Sequence, residues 1–282
     1  MYMKMVYCFL LILSVFLIVA FACVAGYGLW GAKGLTSAEL DGLCVVAHRG
    51  GVCADLPENS LACIARTVED GAVVIEADVR ITKDGELVVF HDEAVDDKTD
   101  GSGRVCDMLL GDLRSLRLKN RARMLTDECV PTLGDVLWLV NGRCRLLIDA
   151  KCTAVDDAER FAKALINEVA LYNAADWVSV QSFSDGVLEN LHRLGHPFPL
   201  EKLLLFKFPG LPLAFDRGVV FFSFMKYDYI SSFNFFYRTL PPSLVDVFHK
   251  NGKRVKVWTP ATPEDMPRLN VDGVITDFPS QW

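Results

Sequence analysis

Short apolar runs recur along the chain and end on ionisable residues. Cys44–Ala47 runs into His48 and Arg49, Val73–Ile75 into Glu76 and Asp78, Leu87–Phe90 into His91, and Leu146–Ile148 into Asp149 and Lys151. Their length and β-branched content predict strands. Residues two apart on a strand share a face, so Glu76 projects with Asp78, and Asp149 with Lys151. Charges placed where buried strands end are costly unless they bind something.

Helical patterns alternate with these runs. Asn59 or Ser60 caps a helix reaching about Asp70, with Gly71 as its stop. Lys83-Asp84-Gly85 predicts a hairpin-type turn into a strand at 86–90. Residues 92–128 read as polar and irregular. A helix follows Thr132, then a strand at 145–150, a helix at 155–171, a strand at 177–182, a helix at 185–194 and a strand at 202–206. Helix 242–250 and strands 254–258 and 273–276 close the chain. Eight strand candidates mostly separated by helices predict a parallel sheet, and in about 240 residues a closed (β/α)8 TIM barrel. No GxGxxG follows the first strand, which argues against a dinucleotide fold.

Two segments depart from the rhythm. Val6–Gly26 carries no charged residue, and its 21 positions cover roughly 30 Å as a helix, one bilayer core. Ala20-Phe21-Ala22 offers a signal-peptide cleavage site, but the length favours an uncleaved transmembrane anchor. Lys4 before it and Lys33 after it give a weak charge bias, mildly favouring a luminal or extracellular body. The second segment, Phe206–Tyr237, holds 12 of the chain's 30 aromatic residues and fits neither helix nor strand cleanly. The expected organisation is an anchor at 1–30, a linker at 31–42 and a barrel at 43–282, with an aromatic-rich insertion at about 206–240. Barrel packing and docking at a lipid interface both account for such an insertion.

The net charge of −7 and the lack of a basic run argue against nucleic acid as a partner. No protein partner is deducible. Nine cysteines without a CxxC pair argue against a zinc site. Glu76, Asp78 and Asp149 form a hard-cation set suited to Mg2+ or Ca2+. His48 and His91 suit proton transfer near neutral pH. Arg49 and Lys151 suit an anion such as a phosphate. Trp258, closing the 254–258 strand, either walls the pocket or belongs to the core.

Nine motifs stand in order: Ala47-His-Arg-Gly50, Pro57-Glu-Asn59, Glu76-Ala-Asp78, His91-Asp92, Asp100-Gly-Ser-Gly103, Pro131-Thr-Leu133, Asp149-Ala-Lys151, Val257-Trp-Thr259 and Asp272–Asp277. This series resembles the glycerophosphodiester phosphodiesterase family from about residue 43 to 279, and with the apolar N-terminal segment it looks most like the membrane-bound animal members. The resemblance implies a (β/α)8 barrel. One divalent cation would be held by Glu76, Asp78 and Asp149, with His48 and His91 as the catalytic pair. In the family's usual scheme the glycerol 2-hydroxyl attacks phosphorus, giving a cyclic phosphate that water opens. The expected activity is cleavage of glycerophosphodiesters, such as glycerophosphoinositol, to glycerol 3-phosphate and an alcohol. Spider sphingomyelinase-D-type phospholipases resemble the chain in barrel and Asp-x-Lys pair, so a lysophospholipase D acting on lysophospholipids is the first alternative. A non-catalytic membrane interaction protein is the second, and the intact carboxylate set argues against it.

Overall fold

The computed structural model describes residues 40–282 except 41, 54, 154–156, 206–223, 241 and 267–268. The strands, in chain order, are β1 Cys44–Ala47, β2 Val74–Ile81, β3 Leu87–Val89, β4 Arg117–Lys119, β5 Leu125–Cys129, β6 Arg145–Ala150, β7 Val178–Ser182, β8 Leu200–Leu204, β9 Ile230–Phe236, β10 Arg254–Trp258 and β11 Gly273–Thr276. Eight of them pair in parallel, in the order β1, β2, β6, β7, β8, β9, β10 and β11, and β11 pairs with β1 to close the barrel. Helices Leu61–Glu69, Leu133–Val140, Ala158–Leu171, Asp185–Leu194 and Pro242–Lys250 lie between strands, as the alternation predicts.

The helix starts follow local chemistry. Ser60 Oγ accepts from Cys63 N at 3.2 Å at the first helix. Thr132 and Asp135 exchange side chain-to-backbone bonds of 2.9 and 3.0 Å at the second, a reciprocal cap. The main core lies between barrel and helices, built from alternate strand residues such as Ile75, Ala77, Ile148, Val180 and Phe233. The other face of each strand lines the barrel interior, where Val46, Val74, Leu147 and Ile275 form a small apolar layer.

Two barrel strands differ from the sequence pattern. The run at 86–90 is not a barrel strand: β3 pairs antiparallel with β2 across the Lys83–Gly85 turn. A connection that short permits only an antiparallel partner, because a parallel crossover needs a dozen or more residues. The eighth parallel strand is instead β9, inside the aromatic stretch. Its Phe233 and Phe235 pack outward onto Phe248 of the Pro242–Lys250 helix, with ring centroids 4.6 and 5.3 Å away. Within that stretch, residues 206–223 lie outside the described residues.

Residues 92–128, which read as irregular, carry most of the β4–β5 hairpin and a core of their own. Val95, Val105, Leu113 and Leu118 pack there with Val88, Phe90 and Val130. The anchor expected at 1–30 lies outside the described residues. Among those described, no helix is long and apolar enough to cross a membrane. Among the described residues, Cys44, Cys53, Cys63, Cys129 and Cys144 are free thiols.

Candidate active site

Glu76 and Asp78 project inward from β2 as the strand period requires, and Asp149 is the register partner of Asp78 on β6. Ligand oxygens of the three lie within 4.8 Å of one another, and all three residues are buried. Lys151 rises beside them, with Nζ 2.5 Å from Asp149 Oδ2 and 3.1 Å from Asp78 Oδ1. Asn59 Nδ2 donates to Asp78 Oδ2 at 2.8 Å, and Asn59 Oδ1 accepts from Asp78 N at 3.2 Å.

The turn after β1 delivers the next groups. Arg49 sits in the left-handed region at φ 53°, which aims its backbone N–H at Glu76 Oε2, 2.7 Å away. Its guanidinium reaches Glu58 Oε1 at 2.9 Å and Asp78 Oδ2 at 3.4 Å. His48 Nδ1 is 2.7 Å from Asp277 Oδ1, and His91 Nδ1 is 2.6 Å from Asp92 Oδ1. Each carboxylate fixes one ring nitrogen and leaves Nε2 for proton traffic. Trp258 closes β10, donates from Nε1 to the Asn234 carbonyl at 3.2 Å, and packs against Phe183 and Phe236. Among the described residues no hydrogen bond joins it to the carboxylates.

The charges do not balance. Burial raises the Glu76 carboxyl, helped by the Asp78 charge, to about 8. Burial also raises Asp149, and Lys151 only partly offsets it. For Asp78 burial works the same way, but Lys151 and Arg49 outweigh it and hold the carboxyl far below its usual range. The Lys151 ammonium is disfavoured by burial yet held well above its usual value by Asp149 and Asp78. For His48 burial disfavours the cation, and the Asp277 bond and the Glu76 charge overcome that, so its pKa is raised. His91 is lowered, chiefly by burial.

Glu76 Oε1 and Asp149 Oδ1 are buried without a hydrogen-bond partner, and Asp78 Oδ1 has only its ion contact with Lys151. Orphaned carboxylate oxygens converging in one place are costly in a finished core. A divalent cation would satisfy all three and supply the missing positive charge, so the residues fit one.

The eight residues singled out in the sequence therefore lie on β1, β2, β3, β6 and β10 or in the turns that follow them, seven of them at the carboxylate cluster. Asn59, Asp92 and Asp277 stand within the sequence motifs but carried no site role there, and the structure shows them orienting the others. Asp277 directly follows the apolar run of β11, and that position was its signal.

Residues 48–281 match the model of the glycerophosphoryl diester phosphodiesterase family. A glycerophosphodiester phosphodiesterase of Caldanaerobacter subterraneus subsp. tengcongensis is 33% identical over 239 residues, covering 83% of this chain and 94% of that protein. A human protein, glycerophosphodiester phosphodiesterase 1, is 36% identical over 137 residues, 47% of this chain and 41% of its own length. Among solved structures, a glycerophosphodiester phosphodiesterase of Agrobacterium tumefaciens superposes with a TM-score of 0.66 at 25% identity, covering 85% of this chain and 98% of that one. An Oleispira antarctica phosphodiesterase, in complex with the product sn-glycerol-3-phosphate, superposes with a TM-score of 0.71 at 20% identity, over 86% and 96% of the two chains.

Proposed function

The chain belongs to the glycerophosphoryl diester phosphodiesterase family, and from that membership and its site we propose a metal-dependent enzyme that releases glycerol 3-phosphate from glycerophosphodiesters with a polyol alcohol such as inositol. The observation that carries the metal is the set of orphaned oxygens on Glu76, Asp78 and Asp149. The product bound to the Oleispira antarctica protein supports glycerol 3-phosphate as what is released. The choice of inositol rests on the resemblance to the membrane-bound animal members.

In this reading Glu76, Asp78 and Asp149 hold one Mg2+ or Ca2+, which supplies charge stabilisation at a phosphoryl oxygen. Arg49 and Lys151, held by the same carboxylates, present their remaining donors to the phosphate. One of His48 and His91 takes the proton of the glycerol 2-hydroxyl through Nε2 as that oxygen bonds to phosphorus. The other gives a proton to the departing alcohol oxygen as its bond to phosphorus breaks. Water then adds to the cyclic phosphate and reopens the 2-oxygen bond, with the two roles reversed.

A second reading, a lysophospholipase D, rests on Phe183. It is 43% exposed and stands edge-on to Trp258, 6.0 Å between centroids, at the same rim. An exposed Phe against a half-buried Trp there suits an acyl chain. Residues 6–26 would hold the barrel to a membrane, with the catalytic domain luminal or extracellular. Assaying the protein on glycerophosphoinositol, glycerophosphocholine and lysophospholipids, with and without chelator, tests both readings. Full turnover in excess EDTA refutes the metal, and preference for lysophospholipids refutes the first substrate class.

A further inference from the structure

The capping segment between β3 and β6 reaches into the site at one residue. Asn120 closes the β4–β5 turn on itself: its N–H donates to the Met124 carbonyl at 2.9 Å, and its Oδ1 accepts from Met124 N at 3.0 Å. Arg123 completes that turn at φ 62°. The hairpin is tied to the segment after β1 by contacts that do not involve Arg121. Ala62 N donates to Glu128 Oε2 at 3.1 Å, and Asn120 Nδ2 donates to the Asp55 carbonyl at 3.5 Å. The turn so placed brings Arg121 into the lining of a shallow surface hollow shared with His48, Arg49, Glu58 and Asp277.

There Arg121 Nη2 donates to Asp277 Oδ2 at 2.7 Å, and its guanidinium carbon lies 5.9 Å from the centre of the Phe278 ring. The other oxygen of the same carboxylate, Oδ1, holds His48 Nδ1 at 2.7 Å. The Asp277 backbone is pinned as well, since its carbonyl accepts from Val52 N at 2.9 Å. A carboxylate on a short side chain rotates about one terminal bond. Fixing one oxygen therefore fixes the direction of the other.

We infer that Arg121 is a positioning residue for the reaction: it locks the Asp277 carboxylate so that the opposite oxygen sets the orientation and tautomer of His48. The inference rests on the reading of His48 as a catalytic residue. An isolated exposed ion pair contributes little to stability, and Arg121 is 46% exposed on its side chain. Its effect is expected in turnover. Asp277 is held down to about 2, because the His48 and Arg121 partners outweigh the burial that would raise it. The carboxylate is thus ionised in service, able to accept from both partners at once.

The test uses the full chain saturated with the activating cation. Arg121→Gln is expected to lower kcat about tenfold, the scale of a misplaced catalytic group. KM should stay within about twofold, as for a loss confined to the transition state, and the melting temperature should not move. Arg121→Lys, which keeps one charged donor, should recover most of the loss. In an Asp277→Asn enzyme, Arg121→Gln should cost nothing further, because the two act as one unit. A rise in KM at constant kcat would overturn the inference, since Arg121 would then contact substrate. An undiminished loss in the Asp277→Asn background would also overturn it. His48→Ala separates this from the parent reading: near-normal kcat there removes His48 from catalysis, whatever Arg121 does.

Discussion

Two groups of buried charges share the interior of this barrel, and they are built on opposite principles. On β2 and β6, Glu76, Asp78 and Asp149 leave oxygens unpartnered. Across β7 to β10 a second group closes on itself. Lys256 Nζ bonds both oxygens of Glu201 at 2.6 and 2.7 Å. Asn234 Nδ2 donates to Glu201 Oε2 at 2.8 Å and to Gln181 Oε1 at 2.7 Å, and Ser232 Oγ donates to Asn234 Oδ1 at 3.0 Å. No buried atom of this group is left without a partner. Gly273 belongs to it too: a Cβ there would meet the Lys256 stem at 3.2 Å and the Cys44 carbonyl at 2.8 Å. Burial of charge alone therefore does not mark a site in this protein. Unfinished hydrogen bonding does, since an orphaned buried group is tolerated where function needs it.

The largest expected effect is at the open group. Glu76→Gln, Asp78→Asn or Asp149→Asn should each lower kcat/KM by at least about 100-fold, because the cation site loses charge and geometry together. Chelator should act likewise, reversibly on adding back the cation. A variant of all three that still turned over would mean that the orphaned oxygens serve something else.

The closed group should respond in the opposite currency. Glu201→Gln strands the Lys256 ammonium inside the barrel, and breaking a buried pair costs about 3–5 kcal/mol. In a domain of this size that is a fall in melting temperature of roughly 10 °C. The kcat of the folded fraction and its dependence on chelator should be unchanged. Loss of activity without loss of stability would place the closed group in the site.

The sequence made the open group legible and hid the closed one for a physical reason. Glu76, Asp78 and Asp149 end apolar strand runs, so their placement shows as a break in pattern. In β9 the alternation is inverted: Ser232 and Asn234 point into the barrel, while Phe233 and Phe235 face the helices. A strand whose inward residues are polar does not read as core, and its aromatic neighbours looked like an insertion. Lys256 and Glu201 are ordinary charged residues until β8, β9 and β10 lie side by side. Arg121 is more opaque still, because its partner Asp277 is 156 residues away. The run at 86–90 has the composition of a barrel strand, and only the hairpin-type turn before it excludes a parallel crossover.

A smaller effect separates the groups by pH. In the chelated protein burial raises the Glu76 carboxyl from its ordinary value of 4.5 to about 8. Between those values the folded state keeps a proton that the unfolded state has released. The corresponding stability is complete below the unfolded value and is lost as pH rises through the folded one. Melting of the chelated protein should therefore fall from pH 5 to 8. Adding the cation should abolish that slope, and Glu76→Gln should flatten it without metal. Parallel curves with and without chelator would show that the cation does not bind there.

The smallest effect tests whether the groups are truly separate. Asp149 and Gln181 are register partners on β6 and β7, and Gln181 is bonded to Asn234, so a path between the two groups exists. Ser232→Ala removes one hydrogen bond to Asn234 at the far end of that path. Losing such a bond costs about 1 kcal/mol, or roughly 2–4 °C of melting temperature for a domain of this size. Asn234 remains held by its two amide bonds to Gln181 and Glu201, so Gln181 should not turn and Asp149 should not feel the change. Activity and cation affinity should match the unaltered protein. A weakened cation affinity in Ser232→Ala would show that the closed group steers Asp149 through Gln181, and that self-satisfaction in a buried cluster does not make it a bystander to the chemistry next to it.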